Sequence, residues 1–135
     1  MAESFNFELV SPESLLLSAE ASIVSVPGID GDMGIMGNHA PVMTSLRPGL
    51  VSAELADGST AVYFVRGGFA DITPDALTVL AEFAVPQADV TPELMAEQKR
   101  LAVEAVEAAD SDEAKANAQS YLDQLTHIEG AILPA

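Results

Sequence analysis

The sequence contains no cysteine and no tryptophan, and lysine and arginine together account for only five of its 135 residues. Without cysteine there is no disulfide, no thiol nucleophile and no thiolate metal site, which fits a reducing compartment. The 21 acidic residues give a formal net charge of −16, and such a charge repels phosphate backbones and anionic lipid surfaces. We therefore expect no binding of nucleic acid.

Long apolar runs are missing as well. No stretch approaches the roughly 20 consecutive apolar residues that a membrane-spanning helix needs. The first eight residues contain neither the basic nor the apolar part of a secretion signal. The chain is therefore expected to be soluble or peripheral to a membrane. Its length and its 49% apolar content allow one ordinary domain with a small appendage, without room for a second, enzymatic domain.

Signatures of catalysis and of nucleotide binding are also lacking. The sequence has no Gly-Lys-Ser/Thr phosphate loop, no GxGxxG arrangement and no GxSxG elbow. His39 and His127 fall in different predicted regions and have no neighbouring ligand pattern, so neither a metal site nor a catalytic dyad is supported. We expect no catalytic residue, no metal, no nucleotide site and no cofactor.

The segment 28–37 has glycine at every third position but lacks the ligand spacing of a calcium loop, because Gly34, Met36 and Pro41 occupy ligand positions. It is predicted to be a structural loop of tight turns. Gly67 and Gly68 are predicted to form a bulge between strands.

Up to about residue 86 the chain consists of short β-rich runs separated by turn residues, which indicates a sandwich or barrel. Asp57-Gly58 predicts an antiparallel hairpin, because its turn needs positive φ and glycine adopts it at low cost. Leu80 is predicted to lie in the core. The predicted strands are Phe5–Val10 and segments 21–26, 41–46, 50–55, 60–65 and 77–84.

After Pro86 the composition changes to alanine and other good helix formers. Thr91 can cap a helix that Pro92 begins, and a first helix is predicted over about 92–109. Asp110 and Glu113 have the spacing of a capping box, and a second helix is predicted over about 112–129.

So short a connection makes the two helices antiparallel neighbours. The expected domains are a β-sandwich over 1–88 and a helical hairpin over 89–135. Alanine buries little area, so the hairpin is expected to be marginally stable and able to move. Its predicted inner stripes are Leu94, Gln98, Leu101 and Ala105 in the first helix, and Ala118, Leu122, Leu125 and Ile128 or Glu129 in the second.

An ordered set of short blocks runs through the first 85 residues. It comprises Gly31-Asp32-Met33-Gly34-Ile35, His39-Ala40-Pro41, Thr44, Leu46, Pro48-Gly49, Gly67-Gly68-Phe69 and Leu77-Thr78-Val79-Leu80-Ala81. This set resembles the epsilon subunit of F-type ATP synthases, and a strand-rich part followed by two helices matches that family's architecture. The resemblance implies an all-β sandwich of about ten strands plus a C-terminal antiparallel α-helical hairpin.

The resemblance also implies a function. The chain is expected to be a non-catalytic rotor subunit in proton-driven ATP synthesis, bound to the gamma subunit and to the c-ring, with catalysis in other subunits. Its expected place is the cytoplasmic face of a bacterial inner membrane, as a peripheral part of the complex. The loop of Gly31, Asp32, Met33 and Gly34, with His39 close by, is expected to face the c-ring, and Asp32 is the first candidate for that contact.

Two departures from the family pattern concern the hairpin. Some members bind ATP through an arginine-containing motif at the start of the first helix, and Thr91–Ala96 has no arginine there. The family also uses basic residues of the second helix against the alpha and beta subunits, whereas this helix offers only Lys115. We therefore expect no ATP binding and at most weak regulation of ATP hydrolysis, with Tyr121, Leu122 and Leu125 as candidate apolar contacts.

One alternative from another class stays open at this point. A free-standing β-sandwich could bind a small ligand or a peptide and use the helical hairpin as a dimerisation arm. A hydrolase would need a catalytic site that the sequence does not show.

Overall fold

The computed structural model describes residues 4–38 and 40–132, and it describes Ala131 and Ile132 by their backbone only. His39 lies outside the described residues. Within them the chain forms nine strands, a short 3-10 turn and two α-helices, in two units that divide between Pro86 and Gln87. The elements are β1 (Phe5–Val10), β2 (Leu15–Gly28), β3 (Gly31–Met36), β4 (Val42–Ser45), β5 (Gly49–Leu55), β6 (Thr60–Val65), β7 (Gly68–Thr73), β8 (Ala76–Ala81), β9 (Ala84–Pro86), the 3-10 turn (Gln87–Asp89), α1 (Pro92–Ala108) and α2 (Asp112–Ile132).

The first unit is a β-sandwich, as predicted. Its strands form one continuous hydrogen-bonded sheet that folds into two layers, because β2 is long enough to belong to both. The first part of β2 pairs with β1, and its later part pairs with β3 and β5. One layer therefore has the order β4-β7-β8-β1-β2 and the other the order β3-β2-β5-β6-β9. Strands β3 and β4 lie at layer edges, since each pairs with one strand among the described residues.

The core lies between the two layers and follows the two-residue period of strands. In β1 and β8, alternate residues point inward and are buried, and residues between them face outward. The inward set in these two strands is Phe5, Phe7, Leu9, Leu77, Val79 and Ala81. The prediction that Leu80 lies in the core is wrong, because Leu80 stands between two inward positions and its side chain is 38% exposed.

The Asp57-Gly58 hairpin is confirmed. β5 and β6 pair antiparallel from Gly49↔Val65 to Glu54↔Thr60, and Gly58 has a φ of 91°. The Asp57 carboxylate accepts hydrogen bonds from the Ser59 backbone N–H at 2.9 Å and from the Ser59 hydroxyl at 2.5 Å. These hydrogen bonds hold the pKa of the Asp57 carboxyl below its usual value.

Two glycine segments differ from expectation. Segment 28–37 is not a loop of tight turns: β2 and β3 pair as far as Gly28↔Gly31, which leaves only Ile29 and Asp30 as the connecting turn. Gly68 begins strand β7, which was not predicted from the sequence. A Cβ at Gly68 would collide with the backbone of Leu80 in β8, so glycine there permits two strands to approach closely.

The second unit is a helical hairpin. Thr91 caps α1 as predicted, since its hydroxyl oxygen accepts from the Leu94 backbone N–H at 3.1 Å. The cap of α2 is Ser111 instead of Asp110, because the Ser111 hydroxyl oxygen accepts from the Ala114 N–H at 3.0 Å. Lys99 in the first half of α1 forms a 2.8 Å ion pair with Glu129 near the end of α2, as antiparallel helices require.

The buried positions of the hairpin overlap only in part with the predicted stripes. Gln98 in α1 and Leu125 in α2 are buried as expected, whereas Ala105 is exposed. Met95 and Ala102 are buried instead. Helix α2 continues through Gly130 to Ile132, beyond residue 129. In the part of the chain from 4 to 132 without residue 39, no helix combines the length and apolar character needed to cross a membrane.

Candidate functional site

The tip of the β2–β3 hairpin contains four of the five residues that the resemblance assigns to a partner contact. Gly31, Asp32, Met33 and Gly34 form the first part of β3, next to the two-residue turn. Gly31 has a φ of 141°, so the turn itself requires glycine there. The Ile29 backbone N–H donates to the Ser45 carbonyl at 2.8 Å, which fixes the tip against the end of β4.

Arg47 holds this tip from the side. Its Nη1 donates to the Gly28 carbonyl at 2.6 Å, and its Nη2 forms a 2.5 Å ion pair with Oδ1 of Asp32. The Asp32 side chain is nevertheless 70% exposed. One carboxylate oxygen of Asp32 therefore binds Arg47, while most of the side chain is exposed to solvent. Arg47 was not predicted to belong to this site, although a single cation in this acidic segment was an available signal.

A cleft opens beside the tip, where the edge strands β3 and β4 of the two layers face each other. It has a volume of about 380 Å³ and is lined by Gly28, Asp30, Gly31, Asp32, Met33, Val42, Met43 and Thr44. Met43 is 64% exposed and Val42 44% exposed, although Val42 pairs with the buried Ile72. The sandwich is thus open at this edge and presents apolar and flexible side chains, as protein-binding surfaces often do.

A second surface, which is apolar, lies on the outer face of the layer β4-β7-β8-β1-β2. Cross-strand pairing connects Leu15 in β2 to Val10 in β1, Val10 to Leu80 in β8, and Leu80 to Phe69 in β7. We call these four residues the apolar row. Three of them have exposed side chains, Leu15 at 55%, Phe69 at 41% and Leu80 at 38%. A groove of about 620 Å³ lies along the row.

The apolar row was not found from the sequence. Its members come from four strands, and two of those strands, β7 and the first half of β2, were not predicted. Contiguous exposed apolar side chains of this kind form a candidate protein-binding surface.

The four residues assigned to the hairpin differ in their exposure. Lys115 is exposed and has no ion pair among the described residues. Tyr121 and Leu122 are half-buried, while Leu125 is fully buried. Leu125 is therefore a packing residue in this conformation. Among residues 4–38 and 40–132, no group of three histidine or acidic side chains is placed to hold a metal ion.

A family model described as "ATP synthase, Delta/Epsilon chain, beta-sandwich domain" matches residues 4–87. The ATP synthase epsilon chain of Mesorhizobium japonicum is 49% identical over 135 residues, covering 100% of both chains. The corresponding chains of Brucella canis and Allorhizobium ampelinum are 48% and 42% identical, again over the full length of both chains.

Solved structures with a similar fold come from two mitochondrial assemblies. A chain of the Euglena gracilis ATP synthase, solved as OSCP/F1/c-ring, aligns with a TM-score of 0.72 at 19% identity, covering 96% of this chain and 81% of that one. A chain of the Tetrahymena thermophila ATP synthase, solved as central stalk and c-ring, aligns with a TM-score of 0.67 at 12% identity, covering 93% and 96%. At such identities the alignments show that the fold is shared.

Proposed function

The chain belongs to the ATP synthase epsilon chain family, and from this membership we propose that it is a non-catalytic rotor subunit that links the gamma subunit to the c-ring during proton-driven ATP synthesis. As part of that complex it is peripheral to the membrane, and we place it on the cytoplasmic face of a bacterial inner membrane. The family assignment covers the whole chain, since the relatives align over their full length.

The observation that carries the linking role is the presence of two separate exposed surfaces on one sandwich. A rigid β-sandwich with a cleft at its tip and an apolar row on one outer face can hold two partners at a fixed distance. We assign the tip, with Asp32 and Gly34, to the polar loops of the c-ring. We assign the apolar row to the gamma subunit, because broad apolar faces suit a permanent subunit contact.

Affinity capture of the tagged full-length chain from solubilised membranes tests this role. Recovery of gamma and c subunits is the expected result. The alternative, a free-standing adaptor that binds a peptide or dimerises through its hairpin, predicts a soluble chain that recovers no ATP synthase subunit.

The Asp32 contact leads to a first prediction. Asp32→Lys removes the acceptor of Arg47 and places a second cation beside it, which should push the tip out of position. We expect the fold to survive and the affinity for the rotor to fall by about tenfold, because rim charges affect association more than folding. ATP-driven proton pumping in membranes reconstituted with the variant measures this effect.

Asp30→Lys is the matched control. Asp30 lies in the adjoining turn, two residues from Asp32, and carries the same charge, but it takes part in none of the ion pairs of the described residues. Normal pumping with Asp32→Lys, or equal losses with both variants, would show that the ion pair has no special part in docking.

We propose that the helical hairpin, through contacts with the alpha and beta subunits, regulates ATP hydrolysis only weakly. From residue 89 onward it has ten acidic side chains against three cations. Lys99 and Arg100 are already paired, with Glu129 and with Glu97 and Glu104 respectively. Lys115 is then the one cation left for an acidic partner segment in the described part of the hairpin.

The second prediction follows from this charge. Deletion of residues 89–135 should leave the sandwich folded and proton pumping coupled, and should raise ATP hydrolysis by less than about tenfold, since each 1.4 kcal/mol of preference changes a population only tenfold. Hydrolysis by the reconstituted complex, with and without the deletion, measures it. A far larger activation would show that apolar contacts from Tyr121 or Leu122 hold the hairpin on its partner despite the charge.

A further inference from the structure

All the sulfur of this chain lies in five methionines, because the sequence contains no cysteine. An oxidant that attacks sulfur must therefore attack methionine. These residues are Met1, Met33, Met36, Met43 and Met95, and Met1 lies outside the described residues. Three of the other four belong to the edge strands β3 and β4, where the two layers of the sandwich open. Within 4–38 and 40–86, the methionines of the sandwich all lie on these two strands.

The four described methionines differ in their access to solvent. Met43 is 64% exposed and Met36 is 50% exposed. Met33 is half-buried, and its sulfur lies 3.4 Å from where a Cβ at Gly28 would be, so the backbone of β2 covers it on one side. Met95 in α1 is fully buried. Among the described residues, Met43 is therefore the methionine that a dissolved oxidant meets most readily.

Met43 also lies next to both exposed surfaces of the sandwich. It lines the cleft at the tip. It pairs with Asp71 in β7, which lies two residues from Phe69 and on the same strand face. Met43 thus stands between the cleft and the face that bears the apolar row. Met36 differs in this respect, because it lies three residues from the cleft-lining Met33 and on the opposite face of β3.

We propose that Met43 is a site of oxidation by hydrogen peroxide and that its sulfoxide weakens the attachment of the chain to its partners. The lone pair of the Met43 Sδ attacks one peroxide oxygen, so that the O–O bond breaks and an S=O bond forms. Sulfur loses two electrons and the peroxide gains them. The proton of the transferred oxygen passes to the leaving hydroxide, which departs as water. Hydrogen peroxide is uncharged, so the net charge of −16 does not repel it.

The sulfoxide changes the chemistry of this surface. Oxidation converts a flexible apolar side chain into a polar and chiral one, which disrupts contacts that depend on methionine. A partner docked over Met43 would bury a strong hydrogen-bond acceptor without a donor to pair with it. The effect on binding rests on the proposed function, whereas the oxidation itself does not. Because the free chain presents Met43 to solvent, the oxidant acts before assembly.

Peptide mass spectrometry of the full-length chain after brief treatment with hydrogen peroxide tests the modification. We expect Met43 to be oxidised at least about tenfold faster than Met95, whose sulfur is reached only through local opening of the structure. The urea denaturation midpoint should not change at this stage of oxidation, because Met43 lies outside the core.

A matched pair of variants connects the oxidation to binding. Met43→Leu and Met36→Leu each replace one exposed methionine by a sulfur-free side chain of similar volume. Each chain is titrated, before and after treatment, against detergent-solubilised ATP synthase from which the native epsilon chain has been removed. Treatment should raise the dissociation constant of the original chain and of Met36→Leu by about tenfold or more, because an unpaired sulfoxide is costly to bury. Treatment should not change the dissociation constant of Met43→Leu.

Four results would contradict the proposal. Equal oxidation rates for Met43 and Met95 would mean that exposure does not direct the reaction. A lower denaturation midpoint after brief treatment would mean that the oxidant damages the core. Equal losses of affinity in treated Met43→Leu and the treated original chain would assign the effect to another methionine. If the untreated chain fails to bind the depleted complex, the proposed function and the effect on binding both fail, while the mass spectrum still decides whether Met43 is the oxidation site.

Discussion

Replacing Leu77 by alanine should lower the free energy of unfolding by about 2 to 5 kcal/mol, whereas Leu80→Ala should lower it by less than about 1 kcal/mol. Both leucines belong to β8, three residues apart. Leu77 is fully buried between the layers, and its loss leaves a cavity. Leu80 faces outward beside Phe69, so its loss removes only a partly exposed cross-strand contact.

Urea denaturation of the two variants, followed by circular dichroism, measures this difference. The substitution is chemically the same in both, so strand propensity and side-chain volume cancel in the comparison. Equal losses of stability would mean that β8 is out of phase with the structure and that Leu80 packs in the core.

The misplacement of Leu80 has a physical cause. A strand with one core face and one solvent face alternates between apolar and polar residues, and the sequence reveals which residues point inward. In β8 the outward face is apolar at Leu80, because it contributes to the apolar row. A sequence pattern cannot separate a face that packs inside the chain from a face that another protein covers, since both bury apolar surface.

Turns and helix caps were predicted correctly where they depend on residues close together in the sequence. The Asp57-Gly58 turn and the Thr91 cap each involve residues within a few positions of one another, and both are present in the structure. The cap of α2 was misplaced by one residue, because both Asp110 and Ser111 have side chains able to cap. The exposure of the hairpin's Ala105 depends on packing between helices, which propensity does not determine.

Long-range features were not accessible from the sequence. The Arg47–Asp32 ion pair joins residues on different elements, and it forms only because the end of β4 lies against the β2–β3 turn. Strand β7 begins with Gly68. Glycine is needed at this position because β8 approaches it closely, and this approach is visible only in the folded structure. The sequence also does not distinguish Gly31, whose φ of 141° requires glycine, from Gly34, which has no positive φ, because that difference is visible only in the backbone angles.

The apolar row leads to the prediction with the largest effect on assembly. Phe69 is its largest side chain and lies at the β7 end of the groove. Because it faces outward, Phe69→Asp should leave the sandwich folded. In a subunit interface the new carboxylate would be buried without a partner, and truncation of a central aromatic alone typically costs 2 kcal/mol or more. We expect the affinity for the gamma subunit to fall by at least about 100-fold.

Thr73→Asp is the control that isolates the position from the charge. Thr73 lies on the same outward face of β7, about 13 Å along the strand from Phe69, and is exposed. Thr73→Asp and Phe69→Asp each add one negative charge to a chain that already carries −16. Any general repulsion from the partner should therefore act equally on both variants. Co-purification of each full-length variant with the gamma subunit, at matched denaturation midpoints, measures the difference. Equal binding by both variants would mean that the gamma subunit does not cover the apolar row, and a loss confined to Phe69→Asp would locate that subunit on the groove between β1, β7 and β8.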